Sequence, residues 1–214
     1  TGVITPVARL TPVFLAGTTI KNATLHNYEE VERLGLREQD FVEIEKGGEI
    51  IPKVVRVLVD KRGPGAMPFI PPAACPSCSS APAKLEGEVA VRCFNSSCPA
   101  MILGSLEHFV SLTFMDIQGL GPALLKQLVE TGAIHTIADL YTLTHAQLSA
   151  LDRMGAKSAA TVVFAILSSK ANPLDRLLHG LGIRMVGAQA AKQLASSISS
   201  IVDLYDMPAE AIGA

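Results

Sequence analysis

Four cysteines near the middle of the chain constrain its fold more than any other feature of the sequence. Two residues separate Cys75 from Cys78 and four separate Cys93 from Cys98, with fourteen residues between the pairs. Paired cysteines at these spacings favour a tetrahedral zinc site with four thiolate ligands, and a site with no open ligand position is structural. Two disulfides, or free thiols, are the alternatives. The chain has no basic, apolar leader, and this favours zinc because disulfides accumulate in exported proteins.

The cysteines divide the chain into two parts with different sequence patterns. Earlier residues alternate apolar and polar side chains between glycine and proline turns, as strands do, whereas later residues have helical apolar spacing. A chain of 214 residues, 49% hydrophobic and 18% charged, can form two or three small domains with buried cores. It has no apolar run long enough to span a membrane. We therefore expect a cytosolic, multidomain, internal piece of a longer polypeptide.

Residues 1–62 are predicted to form a small all-β barrel, of which the oligonucleotide-binding type (OB-fold) is one form. Asn27 is suited to cap a short helix at residues 28–34. Gly47 and Gly48 lie between two alternating segments and predict a hairpin turn. The expected strands are residues 1–8, 12–15, 18–24, 41–46 and 49–60.

The predicted hairpin contains the candidate binding residues of the barrel. Lys46 lies at its tip, where a long cation could reach a phosphate, and Ile50 and Ile51 are consecutive apolar residues where strict alternation would expose one. Apolar side chains that enter a DNA minor groove have this pattern. The alternative is that both isoleucines are buried in the barrel and Lys46 is solvated. Pro52 has no amide to donate, so its strand is expected at a sheet edge or with a bulge there.

A linker and a zinc module are predicted between the two parts. Residues 63–72 are rich in proline and glycine, which favours a semi-rigid, extended segment. Residues 73–100 are predicted to form the four-cysteine zinc module, with a short hairpin at residues 84–92. Zinc binding would contribute on the order of 10 kcal/mol to folding a segment too small to fold alone.

Residues 101–214 are predicted to be all-α and begin with an apolar-faced helix at residues 101–112. A unit of apolar helix, tight turn ending in glycine, and second helix then occurs three times, and a fourth copy begins near Pro208. The final glycines of the turns, Gly121, Gly155 and Gly187, are 34 and 32 residues apart. Tetratricopeptide and ankyrin arrays have a similar period, but their signature residues are absent.

The repeated unit resembles the helix-hairpin-helix motif of DNA repair proteins. In that motif glycine allows the backbone close to a phosphate, and the unpaired amides at the helix start bind the anion. We expect Gly121 and Gly187 to take positive φ. Binding of this kind is compatible with the net charge of −2, which excludes a broad basic surface.

Basic residues are concentrated at these turns. Gly119 opens the first turn, and Arg153 replaces it in the second. The candidate phosphate contacts are Arg153, Lys157 and Arg184 in or beside the turns, and Lys126 and Lys192 five residues after Gly121 and Gly187. The alternative is that the units are ordinary glycine-terminated helix pairs whose lysines are solvated.

The order of barrel, four-cysteine module and tandem helix-hairpin-helix units resembles bacterial NAD-dependent DNA ligase. Matching segments extend over essentially the whole chain, at residues 1–8, 22–27, 32–36, 46–52, 75–78 and 154–158. The resemblance implies an enzyme that uses NAD⁺ and Mg²⁺ to seal nicks between a 5′-phosphate and a 3′-hydroxyl in replication and repair. It places the nucleophilic lysine in a domain upstream of Thr1, so we expect no catalytic residue and no sealing activity in this chain.

The resemblance also implies the partner and the contact residues. The partner is nicked double-stranded DNA, bound by a bacterial, nucleoid-associated protein that is monomeric and touches no membrane. Lys46 stands where the family usually has arginine, so it would act as a point charge. The implied DNA contacts are Thr1, Lys46, Ile50, Ile51, Gly119, Gly121, Lys126, Arg153, Gly155, Lys157, Arg184, Gly187 and Lys192. A self-contained repair or recombination module, and a scaffold for a protein partner, are the alternative functions.

Overall fold

The chain forms two compact units, Thr1–Asn95 and Ser96–Ala214. The computed structural model describes residues 2–46 and 51–208, so the predicted hairpin turn and the predicted fourth helical copy lie outside the described residues. Each unit has its own buried apolar cluster. Among the described residues, no helix is both long and apolar enough to cross a bilayer.

A curled four-stranded sheet forms an OB-like half-barrel in the first unit, with strand order β1-β2-β4-β3. Strands β1 and β2 are antiparallel, as are β3 and β4, and one parallel bridge from Thr24 to Lys53 joins the two pairs. The strands are β1 (Val7–Leu15), β2 (Thr18–Thr24), β3 (Val42–Lys46) and β4 (Pro52–Val57). The prediction of two short strands in residues 1–15 is wrong. Strand β1 continues through a register shift between Arg9 and Val13, which bends it without ending it.

Helix α1 (Tyr28–Arg33) is capped as predicted and closes one side of the sheet core. The side-chain oxygen of Asn27 accepts a hydrogen bond from the Glu30 amide at 2.8 Å. Val31 of this helix is buried with Ala23, Leu25 and Val54 of the sheet region. The cap and the buried valine together fix the position of the helix against the sheet.

The expectation that Pro52 lies on an edge strand or at a bulge is wrong. Strand β4 is internal, between β2 and β3, and Pro52 is its first residue. The bridge to β2 begins at Lys53, and the register shift against β3 lies further along, opposite Glu43 and Ile44. Pro52 pairs with Lys46 at the end of the ladder between β3 and β4, and the first residue of a strand is a position where proline is tolerated.

The predicted hairpin of the cysteine module is confirmed. Strands β5 (Ala83–Lys84) and β6 (Val91–Arg92) pair antiparallel. The N-terminal segment adds to this hairpin through a bridge from Val3 to Arg92, with an amide hydrogen bond from Ile4 to the Val91 carbonyl at 2.9 Å. In the described part of this segment, Val3 and Ile4 therefore pair with the cysteine module.

Seven α-helices of the second unit lie in the described part of the chain. They are α2 (Pro99–Val110), α3 (Pro122–Glu130), α4 (His145–Ser149), α5 (Ala156–Ser169), α6 (Leu174–Gly180), α7 (Ala188–Ser197) and α8 (Asp203–Asp206). Their main core includes Leu106, Phe109, Leu125, Leu128 and Leu148, each at most 1% exposed. A second cluster joins Leu178 of α6 to Ala191 of α7.

Two helix boundaries differ from the sequence expectations. Helix α2 ends at Val110, and Leu112 lies beyond it with 75% of its surface exposed. Met115, with which the first repeated unit was expected to open, is buried in a turn-rich segment and not in a helix. Apolar spacing predicted the burial of Met115 but not its backbone conformation, because a buried turn and a buried helix can show the same spacing.

Candidate nucleic-acid interface and zinc site

The three repeated units contain the same hydrogen-bonded turn. In each, the amide of the fourth turn residue donates to the carbonyl of the first, and the third residue has positive φ, as in a type II turn. The bonds run from Leu120 to Ile117 at 3.4 Å, from Met154 to Leu151 at 3.2 Å and from Val186 to Ile183 at 3.1 Å. The residues with positive φ are Gly119 (89°), Arg153 (58°) and Met185 (65°).

Each turn leads directly into a helix through its final glycine. Gly121, Gly155 and Gly187 are the N-cap residues of α3, α5 and α7, and all three are exposed. A Cβ atom added to any of them would meet nothing within 4 Å. The expectation of positive φ is wrong for Gly121 and Gly187, whose φ angles are −77° and −84°, and Gly155 has a similar φ of −80°. The left-handed conformation occurs two residues before each N-cap, at the third position of the turn, because this position and not the N-cap reverses the chain direction.

The amides at these helix starts are unpaired. Among the residues that the structure describes, no acceptor meets the amides of Ala123 in α3, Lys157 in α5 or Gln189 in α7. An α-helix leaves its first amides without an intrahelical partner, and the helix dipole adds partial positive charge there. The turns therefore present outward-facing donors of the kind that bind phosphate.

The predicted basic residues lie around these helix starts, and their ion pairs are weak. Lys126 Nζ is 3.6 Å from Glu130 Oε1, and Arg153 Nε is 3.8 Å from Asp152 Oδ2. The Arg153 side chain is 92% exposed, and Lys157, Arg184 and Lys192 are exposed as well. Exposed pairs of this kind contribute at most about 1 kcal/mol, so an incoming phosphate can replace the acidic partner.

The barrel residues are only partly described. Ile51 is 61% exposed, which contradicts the alternative that both isoleucines are buried. Lys46 ends β3 and is half-buried, and its Nζ donates to Thr18 Oγ1 at 3.0 Å. Thr1 and Ile50 lie outside the described residues.

The four cysteines lie together as a potential metal site. The Sγ atoms of Cys75, Cys78, Cys93 and Cys98 all lie within 4.8 Å of one another, and none is in a disulfide. The sulfurs of Cys78 and Cys93 are 3.6 Å apart. Zinc–sulfur bonds of about 2.3 Å in a tetrahedron give a sulfur–sulfur distance of about 3.8 Å, so this donor set fits Zn²⁺.

The surroundings of the cysteines favour thiolate ligands. Hydrogen bonds from Ser80 are the main reason why the pKa of the Cys78 thiol is lowered to about 6, with smaller contributions from Asn95 and Cys93. The thiolate is the form that coordinates zinc. Three of the four cysteines are buried, so little of the site is open to solvent.

Sequence reasoning missed Met185 as a candidate contact. Its side chain is 94% exposed at the third position of the third turn, the position of Gly119 and Arg153. The signal was available, because alignment of the three units on their final glycines places these residues in one column. It was missed because methionine usually indicates a core position.

An OB-like half-barrel, a four-cysteine cluster and tandem helix-hairpin-helix turns define a class of multidomain protein in which a zinc finger adjoins helix-hairpin-helix repeats. Family models match each part. They are the NAD-dependent DNA ligase OB-fold domain at residues 1–66, the NAD-dependent DNA ligase C4 zinc finger domain at residues 74–100, a SAM-like helix-hairpin-helix tandem at residues 111–166 and a helix-hairpin-helix motif at residues 176–214. The chain therefore belongs to the NAD-dependent DNA ligase family.

Bacterial proteins named DNA ligase are similar along nearly the whole chain. The protein of Synechococcus sp. (strain WH7803) is 49% identical over 206 residues, and that of Acidobacterium capsulatum is 50% identical over 202 residues. These alignments include 96% and 94% of the chain. A Parasynechococcus marenigrum relative is 48% identical over all 214 residues. The chain spans only 30% to 32% of the length of these relatives.

Proposed function

We propose that this chain is the DNA-binding portion of an NAD-dependent DNA ligase that seals 5′-phosphate/3′-hydroxyl nicks in duplex DNA during replication and repair. The observation that carries the proposal is the threefold occurrence of one turn that leads through an open glycine into a helix with unpaired amides. Three phosphate sites of this kind can hold a duplex by its backbone. Such contacts fix position without reading sequence, which suits an enzyme that acts at any nick.

Main-chain donors explain how a chain with net charge −2 can bind DNA. Each helix start offers amides and a dipole, and the exposed Lys126, Lys157 and Lys192 add charge beside the phosphate. We assign the remaining phosphate contacts to Arg153 and Arg184. Few ionic contacts imply a moderate dependence of affinity on salt.

The barrel is proposed to contact the minor groove beside the nick. The exposed Ile51 is the apolar element of this contact, with Ile50 next to it in sequence, and Lys46 and Thr1 would approach the backbone. Apolar side chains in the minor groove favour a widened, distorted duplex. A distorted duplex is easier to form at a nick, where one strand is interrupted, and this supports a preference for nicked DNA.

The chemistry is proposed to reside in the rest of the full-length protein. A lysine upstream would take AMP from NAD⁺ and pass it to the 5′-phosphate, and Mg²⁺ would stabilise charge on the phosphates. The chain alone is expected to transfer no AMP. Its zinc, held by the four cysteines, would have a structural role, since four ligands leave no position for substrate. We further propose that the protein acts as a monomer on the bacterial chromosome.

The proposal is tested by fluorescence anisotropy with nicked and intact duplexes of the same sequence. Binding should be sequence-neutral, weaker at high salt and stronger for the nicked duplex. The double variant Gly121→Ala/Gly187→Ala should bind about tenfold more weakly, because each new methyl group separates a phosphate from its amides. Its melting temperature should fall by no more than about 4–8 °C, since both added Cβ atoms have open space at negative φ and each substitution costs at most about 1 kcal/mol at its N-cap.

Gly104→Ala is the matched control. Gly104 lies inside helix α2, a Cβ there would also meet nothing within 4 Å, and the position is remote in sequence from all three turns. The control variant should bind DNA as the unaltered chain does. Equal affinity of the double variant and the control would contradict the phosphate role of the turns.

A further inference from the structure

The third turn has an apolar surface that the other two lack. Met185 is 94% exposed at its third position, and Ile183, its first residue, is 44% exposed. The residue equivalent to Ile183 in the first turn, Ile117, is only 2% exposed. The third turn therefore directs two apolar side chains to solvent where the first turn has one buried side chain and a glycine.

This arrangement is unfavourable for an isolated fold. Met185 has φ of 65°, in the left-handed region that favours glycine, and glycine occupies the same position in the first turn. Full exposure of a long apolar side chain also stabilises nothing in the second unit. Strained residues of this kind cluster at functional sites, which suggests that Met185 serves binding and not folding.

We propose that Met185, supported by Ile183, is an apolar wedge that enters the minor groove of duplex DNA and unstacks one base step when the third turn binds. This inference rests on the proposed DNA-binding function. Methionine is among the side chains that proteins insert between base steps from the minor groove. Insertion would bury the exposed apolar surface of Met185 and Ile183, and this burial would offset the strained backbone.

The surroundings of Met185 favour DNA over an apolar protein partner. Gly187, two residues later, caps α7 and leaves unpaired amides at the helix start, and Lys192 is exposed further along that helix. An apolar side chain flanked by donors and a cation complements a groove bordered by phosphates. An apolar protein groove would leave those donors unpaired.

The residues at the third position of the three turns differ in chemistry, and each would make a different contact with DNA. Gly119 offers no side chain, so the first turn can approach the backbone closely, and Arg153 places a charge at the second turn. Met185 alone can contribute a contact that does not depend on salt. The wedge therefore predicts a loss of affinity without a change in the salt slope.

Four variants of the whole chain test the wedge with short duplexes that contain 2-aminopurine at single steps. Met185→Gln keeps the length and removes the apolar end, so affinity should fall about tenfold, with an unchanged dependence on salt. Met185→Leu should retain most of the affinity. Met185→Gly should bind as weakly as Met185→Gln but melt at the same or a higher temperature, which separates binding from folding. Leu167→Ala, at a 55% exposed site in the last turn of α5, is the control and should bind normally.

The fluorescence of 2-aminopurine reports the unstacking directly. The unaltered chain and Met185→Leu should raise it at one step, and Met185→Gln and Met185→Gly should not. If the unaltered chain binds DNA but Met185→Gln binds equally well, or if binding leaves every probe stacked, the wedge is overturned and the proposed function stands. If the unaltered chain does not bind duplex DNA, both are overturned. Normal DNA binding by Met185→Gln together with loss of binding to another protein would assign the surface to a protein partner and overturn the wedge.

Discussion

At the third position of each hairpin turn, the backbone conformation favours glycine, yet only the first turn has it. Arg153 and Met185 adopt left-handed conformations that cost about 1–2 kcal/mol each for a residue with a Cβ atom. Their long side chains are almost fully exposed, so neither is stabilised by burial. Arg153 and Met185 are therefore the turn residues whose backbone conformation costs most and whose side chains are most accessible to a ligand.

The first turn provides a direct test of the geometry. Gly119→Ala should destabilise the chain by about 1–3 kcal/mol, because its φ is 89° and the new Cβ would lie 2.8 Å from Val162 Cγ2. Gly121→Ala, two residues later, should cost no more than about 1 kcal/mol, the difference between glycine and alanine at an N-cap. Urea denaturation followed by far-UV circular dichroism measures both. Equal losses of stability would contradict the assignment of strain to the third turn position.

At the scale of elements, one buried ion pair connects segments that are distant in sequence. Arg62 donates two hydrogen bonds to the Asp40 carboxylate, from Nε to Oδ1 at 2.7 Å and from Nη2 to Oδ2 at 2.8 Å. Arg62 also donates to the Gly35 carbonyl at 2.8 Å. The Asp40 side chain is 1% exposed, and it also accepts from the Arg37 amide at 2.8 Å. The pair holds the loop after α1 against the segment that follows β4.

The pH dependence of this ion pair is predictable in sign. The hydrogen bond from Arg62 is the main cause that lowers the pKa of Asp40 below its usual value of about 3.9. Its stabilisation is therefore complete above about pH 4 and is lost as the pH falls through the lowered pKa. Asp40→Asn should cost about 1.5–3 kcal/mol at pH 7, the range for hydrogen bonds to charged groups, and less at pH 3.

Glu43→Gln is the control for Asp40→Asn. Glu43 pairs with Arg56 at 2.5 Å, but its side chain is 50% exposed, so the loss should be below about 1 kcal/mol. Urea midpoints of the three proteins at both pH values give the comparison. A loss for Asp40→Asn that does not shrink on acidification would show that the carboxylate charge is not what stabilises the loop.

At the scale of the whole molecule, the two units have separate cores and different sources of stability. The helical unit buries a large apolar cluster that includes Phe109, Leu125 and Leu148. The buried cluster of the first unit is small, and the segment with the cysteines contributes only two-residue strands. Metal binding should therefore matter far more to the cysteine module than to the helical core.

Zinc removal tests this difference. Chelation should abolish the protection of backbone amides in residues 74–95, because zinc supplies on the order of 10 kcal/mol to a module of this size. Amides of α3 and α5 should keep their protection. Hydrogen exchange with mass spectrometry measures both regions, and Cys78→Ser should reproduce the effect of the chelator with less bound zinc. Unchanged protection of residues 74–95 after chelation would contradict a structural metal.

Local sequence determined the elements whose signals lie within a few residues. Capping, turn and ligand chemistry depend on neighbouring residues, so several features were predictable. They are the Asn27 cap, the hairpin between the cysteine pairs, the grouping of the four thiols, and the glycines that cap α3, α5 and α7. The error at Gly121 and Gly187 came from placing the strain at the residue that meets the helix. The conformation of the turn puts that strain two residues earlier.

Tertiary structure decided what depends on distant residues. The internal position of β4 follows from pairing with both β2 and β3, and the pairing of Val3 with Arg92 joins segments that no local pattern connects. The burial of Met115 and the exposure of Met185 differ only because the core packs against one and leaves the other in solvent. Sequence thus determined which residues form the repeated turns, and packing decided which side chains those turns expose.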